Sequence, residues 1–160
     1  MRTFRDERGR DWSLHMSIDA VKRAKALAGF DLMRLGEIDA NGIPNIQRLA
    51  VDVVTVCDVA FAILKPQADK LGVSDEQFAE GLGGDGMRLL QEAVLAEVRD
   101  FFLKLGRTEV VAMIDQMVKF VAATIKASEA RVEAIDPEAL ATRGESSGNS
   151  PASVEFRQTG

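Results

Sequence analysis

Apolar residues recur at every second position near the start of the chain and at every third or fourth position over most of the rest. A period of two is typical of strands with one buried face, and the run at residues 6–9 has the composition of a turn. The pattern predicts a β-hairpin over 2–16, with strands at 2–6 and 10–16. Because an isolated hairpin is marginally stable, its apolar face is expected to pack on helices. That face carries the apolar residues at even positions: Phe4, Trp12, Leu14 and Met16.

Helical spacing predicts that the rest of the fold is a bundle of four to five helices, which makes the fold class mainly α with a small β part (α+β). Ser17 and Gly29 suit the two ends of the first helix. Its apolar stripe is expected to be Ile18, Val21, Ala24, Leu27 and Ala28. The helices are expected at about 18–28, 46–64, 75–80, 86–105 and 109–135.

Local residue types mark several helix ends. Ser74 and Gln77 have the spacing of a capping box, and Val73 with Phe78 that of a hydrophobic staple. Asp85 and Thr108 are the expected N-caps of the two longest helices. The segment 46–64 is apolar on most sides and is expected to be the buried central helix, which Pro66 ends or kinks.

Residues 30–45 leave two alternatives open, a second short hairpin or an ordered loop, with Asn41-Gly42 as a turn signal. The acidic positions from Glu37 onward are faintly similar to a calcium-binding loop. Arg48 stands where such a loop needs a bidentate glutamate, and Pro44 interrupts it, so a turn is the better interpretation.

The last predicted helix carries the most regular pattern in the chain. A heptad seam, with steps of three and four residues, runs through Val111, Ile114, Val118, Val121, Ile125, Ser128, Val132 and Ile135. One interpretation is that this seam closes the core of the domain. The other is that part of it binds a second copy or a partner helix, in which case the candidate contact residues are Val118, Val121, Ile125, Val132 and Ile135.

Length decides how much of the seam the domain can cover. A helix of about 27 residues is about 40 Å long, so the part past about Ala123 is expected to project. Residues 1–136 are expected to form a single domain. Residues 137–160 are rich in Ser, Gly and Pro and predict a disordered tail.

Composition narrows the function classes. The chain has 160 residues with 25 acidic and 20 basic side chains, a net charge of −5 that argues against phosphate-neutralising nucleic-acid binding. The arginines near the N-terminus alternate with acids, which indicates a solvated hairpin. One cysteine excludes an internal disulfide. Without a signal peptide or a membrane-spanning stretch, we expect a cytoplasmic protein with no membrane partner.

Candidate chemistry is sparse. Residues 81–86 match G-x-G-x-x-G, but a dinucleotide loop follows a strand, whereas this one follows a predicted helix, so a corner between helices is expected. His15 is expected to be solvated and Cys57 to pack as a small apolar group. The sequence therefore predicts no catalytic, cofactor-binding or metal-ligating residue, and no enzyme.

The order of segments over residues 2–105 resembles the tail assembly chaperones, and chaperone-like tail-gene proteins, of long-tailed phages and prophages. The residues that carry the resemblance are Phe4, Gly9-Arg10, Trp12, Asp31-Leu32, Gly72-Val73-Ser74 and Asp100-Phe101-Phe102. The last helix and the tail match least well.

The resemblance implies a non-catalytic, mainly helical protein of the bacterial host's cytoplasm. Such proteins coat the long, helical tape measure protein while tail tube subunits assemble around it, and they are absent from the mature virion. The partners implied are the tape measure protein and the tail tube protein, with a homo-oligomer left open. The alternative is a small structural subunit of the tail or the head–tail connector that forms a ring.

Overall fold

The structure is a computed structural model that describes residues 1–135. Within them the chain is mainly helical, with an N-terminal hairpin, as predicted, and the proposed tail at 137–160 lies outside these residues. A short 3-10 helix spans Leu32–Arg34. The strands and α-helices are β1 Arg2–Arg5, β2 Asp11–Leu14, α1 Ile18–Ala28, α2 Asn45–Val51, α3 Val53–Leu71, α4 Asp75–Glu80, α5 Gly84–Lys104 and α6 Thr108–Glu133.

The chain divides into two compact units, Met1–Ala122 and a second that begins at Ala123. The boundary falls within α6. The hydrophobic core lies in the first unit and is built from the hairpin and all six helices up to Ile114.

The hairpin follows the period-two pattern. Its strands pair antiparallel with Phe4 opposite Trp12, and the apolar even positions, Met16 included, are buried. The Trp12 ring meets Phe78 of α4 edge to face, with ring centroids 5.0 Å apart. This confirms that the hairpin packs on helices.

α1 has the predicted ends but a narrower buried face than the predicted stripe. Ser17 accepts a hydrogen bond from the Ala20 N–H, and Gly29 adopts the left-handed conformation at φ 63°. The expectation that Ile18 and Leu27 belong to the buried stripe is wrong, since they are 55% and 58% exposed. α1 packs on α3, and its buried residues are the narrower set Ala20, Val21 and Ala24.

The prediction of one central helix at 46–64 is wrong, because two helices meet at Asp52. The extended backbone of Asp52 ends α2, and its carboxylate accepts hydrogen bonds from the Val54 and Thr55 N–H groups and the Thr55 hydroxyl to begin α3. The pKa of Asp52 is lowered, chiefly by the hydrogen bond from the Thr55 hydroxyl and then by those from the backbone N–H groups, because all of them favour the charged carboxylate. The apolar period continues through the break, so it could not reveal the break.

Pro66 does not end α3, which continues to Leu71 and stops at Gly72 in the left-handed conformation. A proline inside a helix leaves the carbonyl four residues earlier without its usual donor. Here the Arg23 guanidinium of α1 supplies that donor, with Nε 3.0 Å from the Ala62 oxygen, and a terminal nitrogen also donates to the Ile63 oxygen at 3.0 Å. A side chain from a neighbouring helix therefore offsets the break.

The segment 30–45 is an ordered loop that contains the 3-10 helix and one isolated antiparallel bridge between Ile38 and Pro44. The Asp39 carboxylate accepts from the N–H groups of Asn41 and Ile43 at 2.8 and 2.9 Å. This carboxylate holds the turn of its own loop, which agrees with the turn interpretation over the calcium one.

The later helix ends confirm one prediction and correct two. Ser74 and Gln77 form the full capping box. The N-cap of α5 is Gly83, not Asp85, which lies in the first turn, because the Gly83 carbonyl already accepts from the N–H groups of Gly86 and Met87 at 2.8 and 3.4 Å. Thr108 is the first residue of α6 and not its cap: the Val111 N–H donates to the Arg107 carbonyl at 3.2 Å.

Candidate functional site

The first part of the α6 seam belongs to the core. Val111 and Ile114 are 7% and 0% exposed. The Arg99 side chain of α5 holds this part with two hydrogen bonds to the Asp115 carboxylate, at 2.6 and 3.1 Å. For these positions the intramolecular interpretation is confirmed.

In the middle of the seam, Val118 and Val121 differ in their exposure. Val121 is partly buried and packs against the core, together with Met117. Val118 is 44% exposed. Of the candidate contact residues in the first unit, Val118 is therefore the more accessible.

In the second unit the seam is exposed. Ile125, Val132 and Ile135 are 52%, 68% and 49% exposed, although they continue the spacing of the buried residues. A shallow groove here has mostly apolar walls and is lined by Thr124, Ile125, Ser128, Glu129, Val132 and Glu133. The sequence prediction included Ile125 and Val132 but missed the two glutamates, whose places beside the heptad positions were the available signal.

The glycine-rich segment between α4 and α5 is a close-packed corner beneath the hairpin turn. The Glu7 N–H donates to the Gly81 carbonyl at 3.0 Å. A Cβ at Gly81 would lie 2.6 Å from the Arg10 guanidinium, and one at Gly83 would lie 2.6 Å from the Glu7 carboxylate. The helix α4 precedes the segment, as predicted. Close approach of the hairpin explains these glycines.

The centre of this corner is Asp6, and the expectation of a solvated hairpin is wrong here. The Asp6 side chain has no exposed surface and accepts from Trp12 Nε1 at 2.8 Å and Arg10 Nε at 2.6 Å. It also accepts from the backbone N–H groups of Arg8 and Arg10. Burial alone raises the pKa of Asp6, but these hydrogen bonds outweigh it, and the net shift is downward.

The surroundings of His15 and Cys57 do not activate either side chain as a nucleophile. The His15 side chain is 68% exposed, with Nδ1 3.9 Å from Glu97 Oε1, as the alternation predicted. Cys57 is half-buried, and burial, with help from Asp58 and Asp75, raises the pKa of its thiol to about 11. The thiol is therefore protonated at neutral pH and is a poor nucleophile.

A second groove lies between the 38–44 loop and the α2–α3 junction. Its two carboxylates, on Asp39 and Asp52, accept hydrogen bonds from the backbone N–H groups two residues later, on Asn41 and Val54. Its lining residues are Asp39, Ala40, Asn41, Ile43, Gln47, Arg48, Val51 and Asp52.

Residues 1–135 contain neither a cluster of metal ligands nor a membrane-spanning helix. No group of three or more His, Cys, Asp or Glu side chains there is arranged to hold a metal ion. None of the helices in that range combines the length and the apolar character needed to cross a bilayer.

Comparison with protein-family models, with curated proteins and with solved structures finds no match to this chain. The exposed seam of α6 is therefore interpreted from its own geometry.

Proposed function

We propose that this protein is a tail assembly chaperone of a long-tailed phage and binds a long helical client, the tape measure protein, without catalysis. The observation that carries the proposal is the exposure of Ile125 and Val132, which continue a seam that is buried at Val111 and Ile114. An apolar stripe on a helix is the kind of surface that binds another amphipathic helix.

The sequence resemblance supplies the client and the setting. On this proposal the protein acts in the cytoplasm of the bacterial host, keeps the client from aggregating while tail tube subunits assemble, and leaves before the virion is complete. The residues that carry the resemblance have structural roles: Phe4 and Trp12 lie in the core, and Ser74 caps α4.

Co-expression with the tape measure protein encoded by the same genome tests the proposal. We expect the wild-type chain to keep the client in the soluble fraction, and the double variant Ile125→Asp, Val132→Asp to lose this effect because charges replace the apolar contacts. The matched control is Ala127→Asp with Ala130→Asp. It places the same charges on exposed positions of the same helix, outside the seam.

Two results would contradict the proposal. One is equal protection of the client by the seam variant and the wild type, with both proteins folded by circular dichroism. The other is the presence of this chain as a regular component of purified virions, which favours the structural ring subunit instead.

A further inference from the structure

The groove on α6 has an apolar floor that another protein could cover without leaving a polar group unpaired. Ile125 and Val132 form the floor. Between them lies Ser128, the polar member of the seam, and its hydroxyl donates to the Thr124 carbonyl at 2.9 Å. Because that donor is satisfied within the helix, burying Ser128 under a partner costs little.

One edge of the groove is acidic. Glu129 and Glu133 line it, and within residues 1–135 neither of them forms an ion pair. The cations of the same stretch of helix, Lys126 and Arg131, do not line the groove. A partner seated on Ile125 and Val132 therefore meets carboxylates along this edge.

A second copy of α6 does not match that charge. With Ile125 at heptad position a, Glu129 is at e and faces a g position in a parallel pair. In register, that position is Thr124. In an antiparallel pair, e faces e, and the e positions of α6 are Thr108, Asp115, Ala122 and Glu129. Neither orientation places a cation opposite Glu129.

We infer that the groove binds an amphipathic helix of another protein, one whose apolar stripe is flanked by lysine or arginine on the side that meets Glu129 and Glu133. The inference rests on the proposed function, since it specifies the client segment that α6 recognises. The apolar floor supplies the contact area, and the two carboxylates select the charge of the partner.

Two synthetic peptides that share one leucine stripe and differ only in their flanks, lysine in one and glutamate in the other, test the inference with the full chain. Fluorescence anisotropy is expected to show about tenfold tighter binding of the lysine peptide, as two partly exposed ion pairs allow. The preference should shrink at high salt. In the variant Glu129→Lys, Glu133→Lys the preference should reverse.

Charge placed off the groove is the control. Ala127→Glu with Ala130→Glu adds two carboxylates on the exposed face of α6 opposite the groove and should leave the preference unchanged. An equal increase with this control would mean that overall charge, and not the groove, selects the peptide, and would overturn the inference.

Other results separate this inference from the proposed function. If both peptides bind equally while the client is still kept soluble, the charge selection is wrong and the chaperone proposal stands. If sedimentation shows a dimer that Ile125→Asp dissociates, the occupant is a second copy and the inference is wrong. If the lysine peptide binds as expected but the tape measure protein is not kept soluble, the inference about the groove is supported, and its client is another protein.

Discussion

The hairpin turn and the stretch of α6 after Ala122 both combine carboxylates with apolar side chains, but they use them in opposite ways. At the turn, Asp6 is buried and has four hydrogen bonds, two of them from the side chains of Trp12 and Arg10. On α6, Ile125 is half exposed, and Glu129 has no ion-pair partner among the described residues.

The difference separates residues that stabilise the fold from residues available to a partner. A buried carboxylate with every acceptor used contributes to folding, and its loss leaves its donors unpaired. An exposed apolar side chain on a helix contributes little to folding and keeps its contact energy for binding. Substitutions at the turn should therefore change stability, and those on the second part of α6 should change only binding.

The largest effect is expected for Asp6→Ala. The substitution leaves Trp12 Nε1 and Arg10 Nε without their shared buried acceptor, which should lower the free energy of unfolding by about 3–5 kcal/mol. Urea unfolding followed by tryptophan fluorescence measures it. Asp11→Ala is the control, because its ion pair with Arg5 is exposed and is expected to contribute about 1 kcal/mol or less. Equal effects would mean that burial at the turn is unimportant.

The next effect is expected on the seam itself, at Ile114. This side chain is fully buried, and Ile114→Ala should destabilise the fold by about 2–5 kcal/mol through the lost apolar contact and the cavity left behind. Thermal or urea unfolding gives the value. A loss below about 1 kcal/mol would show that the start of α6 is not part of the core.

A smaller effect is expected from the proline inside α3. Arg23→Met removes the donors to the Ala62 and Ile63 carbonyls and should cost about 1–3 kcal/mol. Pro66→Ala restores a backbone N–H, so the same Arg23 substitution should cost less in that background. A double-mutant cycle measures the coupling. Strict additivity would contradict the role given to Arg23, and Asp19→Ala controls for its ion pair on α1.

Protonation of Asp6 by acid is expected to lower the free energy of unfolding less than the substitution Asp6→Ala does. Because the folded-state pKa of Asp6 lies below its unfolded value, its contribution is complete above the unfolded pKa of about 4 and is lost as the pH falls through the folded one. Between pH 6 and pH 3, roughly, the wild type should lose more stability than Asp6→Asn, which has no charge to protonate. Parallel curves for the two proteins would refute this assignment.

The sequence predicted several local features correctly, although not the N-caps of α5 and α6, and it predicted long-range compensation poorly. The capping box at Ser74 and the left-handed Gly29 depend on neighbouring residues, and both are confirmed. The burial of Asp6 depends on Gly81 coming close to the hairpin, and the survival of α3 past Pro66 depends on Arg23 of another helix. Neither partner is adjacent in sequence, so composition around Asp6 and the proline rule alone gave the wrong expectation.

The candidate site likewise has features that the sequence predicts locally and features that depend on the three-dimensional structure. Heptad spacing located the seam, since the seam is a property of one helix. How much of it stays exposed depends on how far the core reaches, and length placed that limit at about Ala123. The structure ends the first compact unit at Ala122. The partial burial of Val121 could be seen only from side-chain positions, whereas the glutamates at the groove could have been found from their places beside the heptad positions.

The smallest effect on stability is expected for Ile125→Ala, which can be compared directly with Ile114→Ala on the same seam. This residue occupies the same seam as Ile114 but is 52% exposed, so its truncation should change the free energy of unfolding by no more than about 0.5 kcal/mol. The same variant should still weaken binding of the lysine-flanked peptide, because the floor of the groove loses apolar contact. Measuring both quantities on one variant separates the two roles. A destabilisation similar to that of Ile114→Ala would place Ile125 in a folded core, and the seam beyond Ala122 would then not be a surface kept for a partner.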